Sequence, residues 1–295
     1  MTDLKLPKRQ PSRRQRKTTN KADKARPATR SAPSFKGTDD SKIISSSNTN
    51  SGYSAEPRLT VRPKKKRKRK GGWLRRFLFR FVVIVCLLSA LPMVALRYID
   101  PPTSAFIELN KSNNNTNIQH TWVEFEDISL YFPNAIIASE DQNFPTHHGL
   151  DLKQIRTTLE ESKNGQPRGA STITQQTVKN LFLWPGRSYL RKGLEAWLAL
   201  WMDLIVPKGR ILELYMNFAQ FGRSVFGVGA ASQYYFQVPP NKLNPEQSAL
   251  IAASLPTPSR SNPAEPSDYL KERADFILDQ MPRIGGRRMV RELIE

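Results

Sequence analysis

The segment YLRKGLEAWLALWMDLIV, residues 189–206, decides the fold class of this chain. Apolar side chains recur along it at three- and four-residue spacing, and they are Leu190, Leu194, Trp197, Leu198, Trp201 and Leu204 or Ile205. This spacing places them on one wide face of an α-helix. Proline cannot continue a helix, so Pro207 ends this one, and a second helical segment begins at Lys208. The segment predicts a mainly α-helical fold.

Helix-start signals recur further along the chain. Asn244 and Pro245 occupy the cap and first helical position of NPEQSALIAASL, and Ser267 caps SDYLKERADFILDQM. Residues 101–120, which end in a run of polar side chains, are predicted to form a loop. The roughly 200 residues after the apolar segment described next are enough for one domain with a sizeable core.

A membrane anchor is predicted before this domain. The segment FLFRFVVIVCLLSALPMVAL, residues 77–96, has 20 residues and one charge, Arg80. A helix rising about 1.5 Å per residue crosses a hydrocarbon core of roughly 30 Å with this length. A buried core helix is the alternative, but the flanking charge is strongly asymmetric, which favours a membrane span over residues 73–97. The 76 residues before it are too many for a cleaved signal peptide.

Charge is concentrated at the N-terminus. Residues 1–80 hold 25 Lys and Arg and 5 Asp and Glu, whereas residues 81–295 hold 21 of each. By the positive-inside rule, residues 1–72 lie in the cytoplasm and residues 98–295 form the domain on the other side. The basic run 64–70 is then a topology signal that rests on anionic headgroups, rather than a nuclear or nucleic-acid-binding motif.

The first 72 residues are predicted to be disordered, because their only aromatic residues are Phe35 and Tyr53 and they cannot bury enough apolar surface. The single cysteine, Cys86, lies within the predicted span. The outer domain therefore has no disulfide and no thiol chemistry.

Two acidic residues follow an apolar stretch in ASEDQNFPTHHGLD, residues 138–151. Burial of Glu140 would raise its pKa towards the range useful for proton transfer. The alternative is an ordinary pair of carboxylates, Glu140 and Asp141, at a helix end. His147 and His148 are adjacent rather than spaced to share a face, so they do not predict a zinc site.

Two later segments combine polar and basic side chains. In GASTITQQTVKNLFL, residues 169–183, Lys179 follows Gln175 by four residues, although a capped amphipathic helix explains this equally well. In RKGLE, Arg191, Lys192 and Glu195 lie within one turn, as an intrahelical ion pair or as a cationic clamp for a phosphate group. Two carboxylates and three cations suggest acid–base chemistry on a lipid-linked phosphate or a sugar polymer.

Five segments in order resemble the motifs of the family 51 peptidoglycan glycosyltransferases over most of residues 100–285. They are EDQNFPTHHGLD, GASTITQQTVKNLFL, RKGLE, KGRILELYMN and the looser stretch from Gly222 to Phe236. The resemblance extends to the monofunctional members, and it implies a lysozyme-like, mainly α-helical glycosyltransferase domain on a single N-terminal transmembrane helix.

The resemblance implies polymerisation of lipid II with inversion. Glu140 would be the general base that takes the proton from the 4-hydroxyl of the acceptor GlcNAc. That oxygen would attack C1 of the donor MurNAc and expel undecaprenyl pyrophosphate, forming a β-1,4 bond from an α-linked donor. Glu195 would be the second catalytic acid, acting on the pyrophosphate directly or through Mg²⁺ or Mn²⁺, and no organic cofactor is expected.

The resemblance also assigns binding and supporting positions. The positions that contact pyrophosphate in the family are Lys179, Arg191 and Lys192. The positions that line the family's cleft are Ser171, Thr172, Gln175 and Gln176. The residues expected to support Glu140 and the adjoining helix are Asp141, Phe144, His147, Gly149 and Asn180.

Three positions depart from the family pattern: Ala170 replaces a usual Gly, Gly229 stands where many members have Glu, and Pro145 directly follows Phe144. No Ser-x-x-Lys or Lys-Thr-Gly motif occurs, so glycan polymerisation without crosslinking is expected. The expected partners are lipid II, the growing strand, membrane lipids and cell-division or elongation proteins, without specific nucleic acid. The expected location is the bacterial inner membrane, with the catalytic domain in the periplasm.

Two alternatives remain open from the sequence. A glycan-cleaving, lysozyme-like enzyme also needs a buried Glu, but its reaction has no pyrophosphate leaving group for the three cations to bind. An inactive envelope scaffold that recruits partners through the tail is the non-enzymatic alternative.

Overall fold

A computed structural model of the chain describes residues 71–114, 117–162, 169–186 and 188–295. Within these ranges the α-helices are α1 Gly71–Tyr98, α2 Ala105–Asn114, α3 Tyr131–Glu140, α4 Leu152–Ser162, α5 Ile173–Phe182, α6 Tyr189–Ile205, α7 Lys208–Phe218, α8 Gly227–Phe236, α9 Pro245–Ala253, α10 Asp268–Arg283 and α11 Gly286–Ile294. Strands β1 (Gln119–His120) and β2 (Val225–Phe226) pair in parallel. The predicted mainly α-helical fold is confirmed.

The prediction of disorder for residues 1–72 lies outside the described residues, apart from Gly71 and Gly72, which begin α1.

Helix α1 is the one helix among the described residues that is long and apolar enough to cross a membrane. Its C-terminal half packs against α6, where Met93 and Leu96 are buried. The indole Nε1 of Trp197 donates a hydrogen bond to Ser89 Oγ at 2.9 Å. The guanidinium of Arg97 donates to the backbone oxygen of Ile205 at 2.9 Å. The predicted anchor is therefore continuous with the domain and held to it by side-chain contacts.

The apolar face of α6 is not the face that the domain buries most completely. The buried residues of α6 are Arg191, Glu195, Ala199 and Met202. Leu190 and Leu204, on the apolar face, are 73% and 76% exposed. Leu198, Trp201 and Ile205 of this face are partly buried against the core. Its exposed part lies beside a helix with the composition of a membrane span, and exposed apolar surface is typical of such a boundary.

The core of the domain forms around α3, α5, α7, α9 and α10. Helix α3 is buried from Phe132 to Ala138, and α9 and α10 pack against it. Helix α7 packs against α5 and is buried on almost every side. Burial of α3 on nearly all faces explains its mostly apolar sequence before Glu140.

Helix α7 also forms hydrogen bonds with the chain segment that contains Val123 and Phe125 and leads into the core. Glu213 Oε1 accepts a hydrogen bond from the Phe125 N–H at 2.7 Å. Asn217 Oδ1 accepts from the Val123 N–H at 2.9 Å, and its amide nitrogen donates back to the Val123 oxygen. Residues four apart share one helical face, which explains the spacing of Glu213 and Asn217 in KGRILELYMN.

The predicted helix starts are confirmed at Asn244 and Ser267, whose side chains accept hydrogen bonds from Gln247 N and Leu270 N. The loop predicted over residues 101–120 is wrong in part, because it contains α2. Ile107 of α2 is 2% exposed, and α2 packs on α5. The polar second half of α2 conceals the helix in the sequence.

Candidate active site

Glu140 is the last residue of α3 and lines a cleft of about 960 Å³. Gln176 Nε2 donates a hydrogen bond to Glu140 Oε2 at 2.9 Å, and Ser139 Oγ donates to Oε1 at 3.3 Å. The hydroxyl of Tyr215 in turn donates to Gln176 Oε1 at 3.2 Å. The carboxyl group of Glu140 is thus oriented by a chain of hydrogen bonds that runs from Tyr215 of the buried helix α7 through Gln176.

Burial raises the pKa of Glu140 above its usual value, and the hydrogen bond from Gln176 and the charge of Arg273 only partly oppose this. A carboxyl group with a raised pKa binds a proton more readily than one in water, which suits a general base. The desolvation anticipated for Glu140 from the apolar sequence before it is therefore found. The alternative of an ordinary solvated helix end does not describe this residue.

Asp141 also lines the cleft, and its carboxylate bonds to neighbouring segments that support Glu140. Its Oδ2 lies 2.8 Å from His147 Nε2 and accepts a hydrogen bond from the Ile173 N–H at 2.9 Å. Asp141 and His147 are both buried. One carboxylate thus connects the end of α3, the following loop and the start of α5, and this fixes the position of Glu140 relative to α5.

The loop behind the cleft is packed closely. Phe144 is fully buried, and the Lys208 ammonium lies 4.6 Å from the centre of its ring. Lys208 also donates to the His147 backbone oxygen at 2.8 Å. Gly149 has a φ of +72°, and a Cβ atom there would lie 2.6 Å from the Ala199 oxygen, so only glycine suits this position.

Helix α5 begins with a capping box. Thr172 Oγ1 accepts from the Gln175 N–H, and the Gln175 side chain accepts from the Thr172 N–H. Thr172 Oγ1 also donates to the Gly149 oxygen at 2.7 Å. Both side chains are buried in these contacts, as is Asn180 further along α5. Of the four polar side chains predicted to line the cleft, Ser171 and Gln176 do so.

The RKGLE segment forms a charged cluster on α6. Arg191 Nη1 donates to Glu195 Oε2 at 2.8 Å, and Lys192 Nζ donates to Glu195 Oε1. Lys192 Nζ also donates to Ser171 Oγ at 2.8 Å. Glu195 is 2% exposed and Arg191 is also buried, whereas Lys192 is half-exposed, so one buried carboxylate holds one buried and one half-exposed cation.

Lys179 lies between this cluster and Glu140. Burial lowers its pKa, and the nearby charges of Glu195 and Glu140 oppose that effect, while those of Arg191 and Lys192 add to it. Its ammonium lies 5.6 Å from the centre of the Phe106 ring. The structure thus brings the predicted base, the predicted second acid and the three predicted cations into one region.

The residues present do not form a metal site by themselves. Both oxygens of Glu195 already accept hydrogen bonds from Arg191 and Lys192. Among the described residues, no group of three or more His, Cys, Asp or Glu is placed to hold a metal ion. Cationic side chains, rather than clustered carboxylates, characterise this part of the site.

The three positions that depart from the family pattern take no part in the side-chain contacts described above. At Gly229 a Cβ atom would lie 2.6 Å from the Thr121 oxygen, so this chain has no room for a larger residue there. Ala170 is half-buried beside Ser171, and Pro145 is half-buried after the buried Phe144. None of the three touches Glu140 or Glu195 through a side-chain hydrogen bond.

Three residues that contribute contacts to the site were not identified from the sequence. Tyr215 and Lys208 lie in KGRILELYMN, so their motif was visible but their contacts were not. Arg273, whose Nη2 is 3.6 Å from Glu140 Oε1, lies in an amphipathic helix with several other charges and gave no local signal.

Comparison with known proteins agrees with this geometry. A family model described as Transglycosylase matches residues 108–282. A protein from Marinomonas sp. named biosynthetic peptidoglycan transglycosylase is 44% identical over 71% of this chain and 88% of its own length. Proteins of the same name from Shewanella amazonensis and Xylella fastidiosa are 43% and 41% identical, over 73% and 72% of this chain and 89% and 90% of their own lengths. The chain therefore belongs to the transglycosylase family.

Proposed function

We propose that this enzyme polymerises lipid II into linear β-1,4-linked glycan strands of peptidoglycan and releases undecaprenyl pyrophosphate. The glycosyltransferase class and the building of glycan strands follow from the family and its named relatives. The identity of the donor, the leaving group and the residue roles are proposed from the site.

The observation that carries this proposal is the position of Lys179, which interacts electrostatically both with Glu140 and with the cluster around Glu195. A single displacement needs a base for the acceptor hydroxyl and positive charge for an anionic leaving group. Lys179 lies near both groups: the Glu140 carboxylate, which can act as the base, and the cations around Glu195, which can stabilise the leaving group. Glycan cleavage would need the carboxyl group but not the cations.

At the acceptor end, Glu140 takes the proton of the 4-hydroxyl as its oxygen attacks C1 of the donor sugar. Gln176 donates a hydrogen bond to Oε2 of the carboxylate, and Oε1, which accepts a longer hydrogen bond of 3.3 Å from Ser139, is the oxygen proposed to take the substrate proton. The new C1–O bond forms on the face opposite the leaving group, and the product has the inverted β configuration.

At the donor end, the bond between C1 and the phosphate oxygen breaks, and its electron pair leaves with the pyrophosphate. Lys179, Arg191 and Lys192 stabilise that developing charge. Glu195 keeps Arg191 and Lys192 in place through both of its oxygens. Glu195 is then a residue that positions the cations, and the proposed steps use no metal ion.

The membrane anchor fits this substrate. Both reactants carry a lipid, and tethering the enzyme to the same membrane raises their effective concentration. The charge asymmetry around α1 favours the bacterial inner membrane with the domain in the periplasm. Division or elongation proteins are proposed as partners of the N-terminal residues, and membrane lipids as contacts of α1.

The test is to incubate the full-length protein in detergent with labelled lipid II and Mg²⁺ and to separate products on a gel before and after muramidase. We expect muramidase-sensitive polymer from the wild type. Glu140→Gln should lower the polymerisation rate by about 10²–10⁴-fold, because general base catalysis contributes about that much.

The matched control is Glu292→Gln, the same substitution at an exposed surface ion pair with Arg288 on α11. It should polymerise at the wild-type rate. A folded wild-type protein that binds lipid II and makes no polymer would favour the scaffold alternative, and a protein that shortens preformed glycan would favour the cleaving enzyme.

A further inference from the structure

Arg273 on α10 forms an ion pair with the proposed base, although 133 positions separate them in the chain. Its Nη2 lies 3.6 Å from Glu140 Oε1. Among the described residues, Glu140 is the one carboxylate paired with it. The two side chains are 27% and 15% exposed, and both line the cleft.

This pair differs from the other ion pairs of α10. Lys271 pairs with Asp268 and Arg283 with Asp279, each within one helical turn and at the surface. Such exposed pairs contribute little to stability. Arg273 instead reaches across to another helix at the edge of the buried face of α10, which packs against α3 and α9.

The guanidinium of Arg273 is paired with Glu140, but not all of its N–H donors have hydrogen-bond partners. Its Nε is buried and has no hydrogen-bond partner in the described part of the chain. Unpaired buried donors are costly, so such a group needs a reason to be kept. The distance of 3.6 Å is too long for a strong hydrogen bond to Glu140. Arg273 therefore places its positive charge near Glu140 without a strong hydrogen bond to Oε1, the oxygen proposed to receive the acceptor proton.

We propose that Arg273 is a positioning residue for the general base, which orients the Glu140 carboxylate in the cleft and provides the counter-charge for this buried group. The inference rests on the proposed function, in which Glu140 takes the acceptor proton. Arg273 acts through Glu140 and makes no contact with the cations on α6.

The other titratable or charged groups around this carboxyl do not replace Arg273. They are Asp141 beside it, Lys153 of α4 in the cleft wall, Lys179 of α5 and Tyr215 of α7. Asp141 is directed towards His147, and burial keeps Tyr215 neutral by raising its pKa well above the usual value. Lys179 lowers the pKa of Glu140 less than Arg273 does.

The test is the pH dependence of polymerisation for Arg273→Gln, Arg273→Lys and Arg283→Gln. Loss of a nearby positive charge raises the pKa of a carboxyl group, so the acidic limb of kcat/KM for Arg273→Gln should move up by about one pH unit. Arg273→Lys should return the limb towards the wild-type position because it keeps the charge. Arg283→Gln, the same change at a surface pair on the same helix, should leave the limb in place.

A second measurement needs no turnover. NMR titration of carboxyl-labelled Glu, with the Glu140 signal assigned by its loss in Glu140→Gln, should show the same upward shift in Arg273→Gln. A folded Arg273→Gln protein with an unmoved titration and limb would overturn the inference, even if its rate were lower. An inactive wild type whose Glu140 titration still responds to Arg273 would overturn the proposed function and leave the pairing established.

Discussion

At the scale of single residues, Glu140 shows how function and stability oppose each other in this domain. Its carboxyl group is placed at the end of a buried apolar helix, where the charged form is poorly solvated. A carboxyl group in water would be a weaker base at neutral pH. The same burial that suits it to the proposed proton transfer makes its ionisation a cost to the folded state.

Replacement of this residue should therefore stabilise the protein at neutral and alkaline pH. The folded-state pKa of Glu140 is raised, so its stabilising contribution is present below the usual value near 4.5 and is lost as the pH rises through the folded pKa. Glu140→Gln has no charge to desolvate. We expect it to melt above the wild type at pH 8, with the difference shrinking towards pH 4.

Thermal unfolding followed by circular dichroism across this pH range measures the effect. Glu292→Gln, which removes an exposed carboxylate, should show no such gain. A Glu140→Gln protein that melts below the wild type at pH 8 would mean that Gln176 and Arg273 outweigh desolvation.

At the scale of elements, α5 is the element that organises the site. Its N-terminus is fixed by the capping box of Thr172 and Gln175 and by Asp141, and it carries Gln176 into the cleft and Lys179 close to the charged cluster on α6. A cap satisfies backbone N–H groups that the helix itself leaves unpaired. A shift of this helix start would displace both side chains together.

Thr172→Ala should test the dependence on this cap. Loss of the cap and of the hydrogen bond to the Gly149 oxygen should lower the free energy of unfolding by about 1–2 kcal/mol. The measurement is chemical denaturation followed by circular dichroism. Thr172→Ser keeps the hydroxyl and is the control, and equal losses in the two variants would contradict a capping effect.

Helix α6 illustrates the limit of periodicity as a guide to burial. Its strongest sequence signal, the apolar face, lies outwards, and its charged residues Arg191 and Glu195 turn inwards as a pair. Buried charges are stable when they are paired and hydrogen-bonded. The apolar spacing therefore predicted the helix correctly, but it did not indicate which residues the domain buries most completely.

At the scale of the whole molecule, the C-terminal half of the anchor is joined to the domain by hydrogen bonds and packing. Ser89, Arg97 and the backbone of Leu96 bond to Trp197, Ile205 and Arg210, respectively. The base and the cations all lie in the domain that these contacts hold to α1. We therefore expect neither membrane attachment nor the geometry of the site to depend on the basic residues before α1.

Deletion of residues 1–60 should leave the rate of lipid II polymerisation unchanged, because the anchor and every proposed site residue lie after them. The measurement is the polymerisation rate of the truncated and full-length proteins in the same detergent. Deletion of residues 1–97, which also removes α1, is the contrasting variant and should act more slowly on lipid II in membranes. A truncation at residue 60 that abolished polymerisation would contradict this separation.

The sequence by itself determined the helical class, the helix that is long and apolar enough to cross a membrane, the helix starts at Asn244 and Ser267, and the motif segments that contain Glu140 and the cations. These depend on local properties: hydrophobic spacing, capping chemistry and the order of residues along the chain. The tertiary structure decided that α6 buries its charged face, that residues 101–120 include α2, and that Arg273 and Tyr215 act on the surroundings of Glu140. Those features depend on contacts between residues far apart in the chain, and no local pattern records which distant helix will supply the neighbouring group.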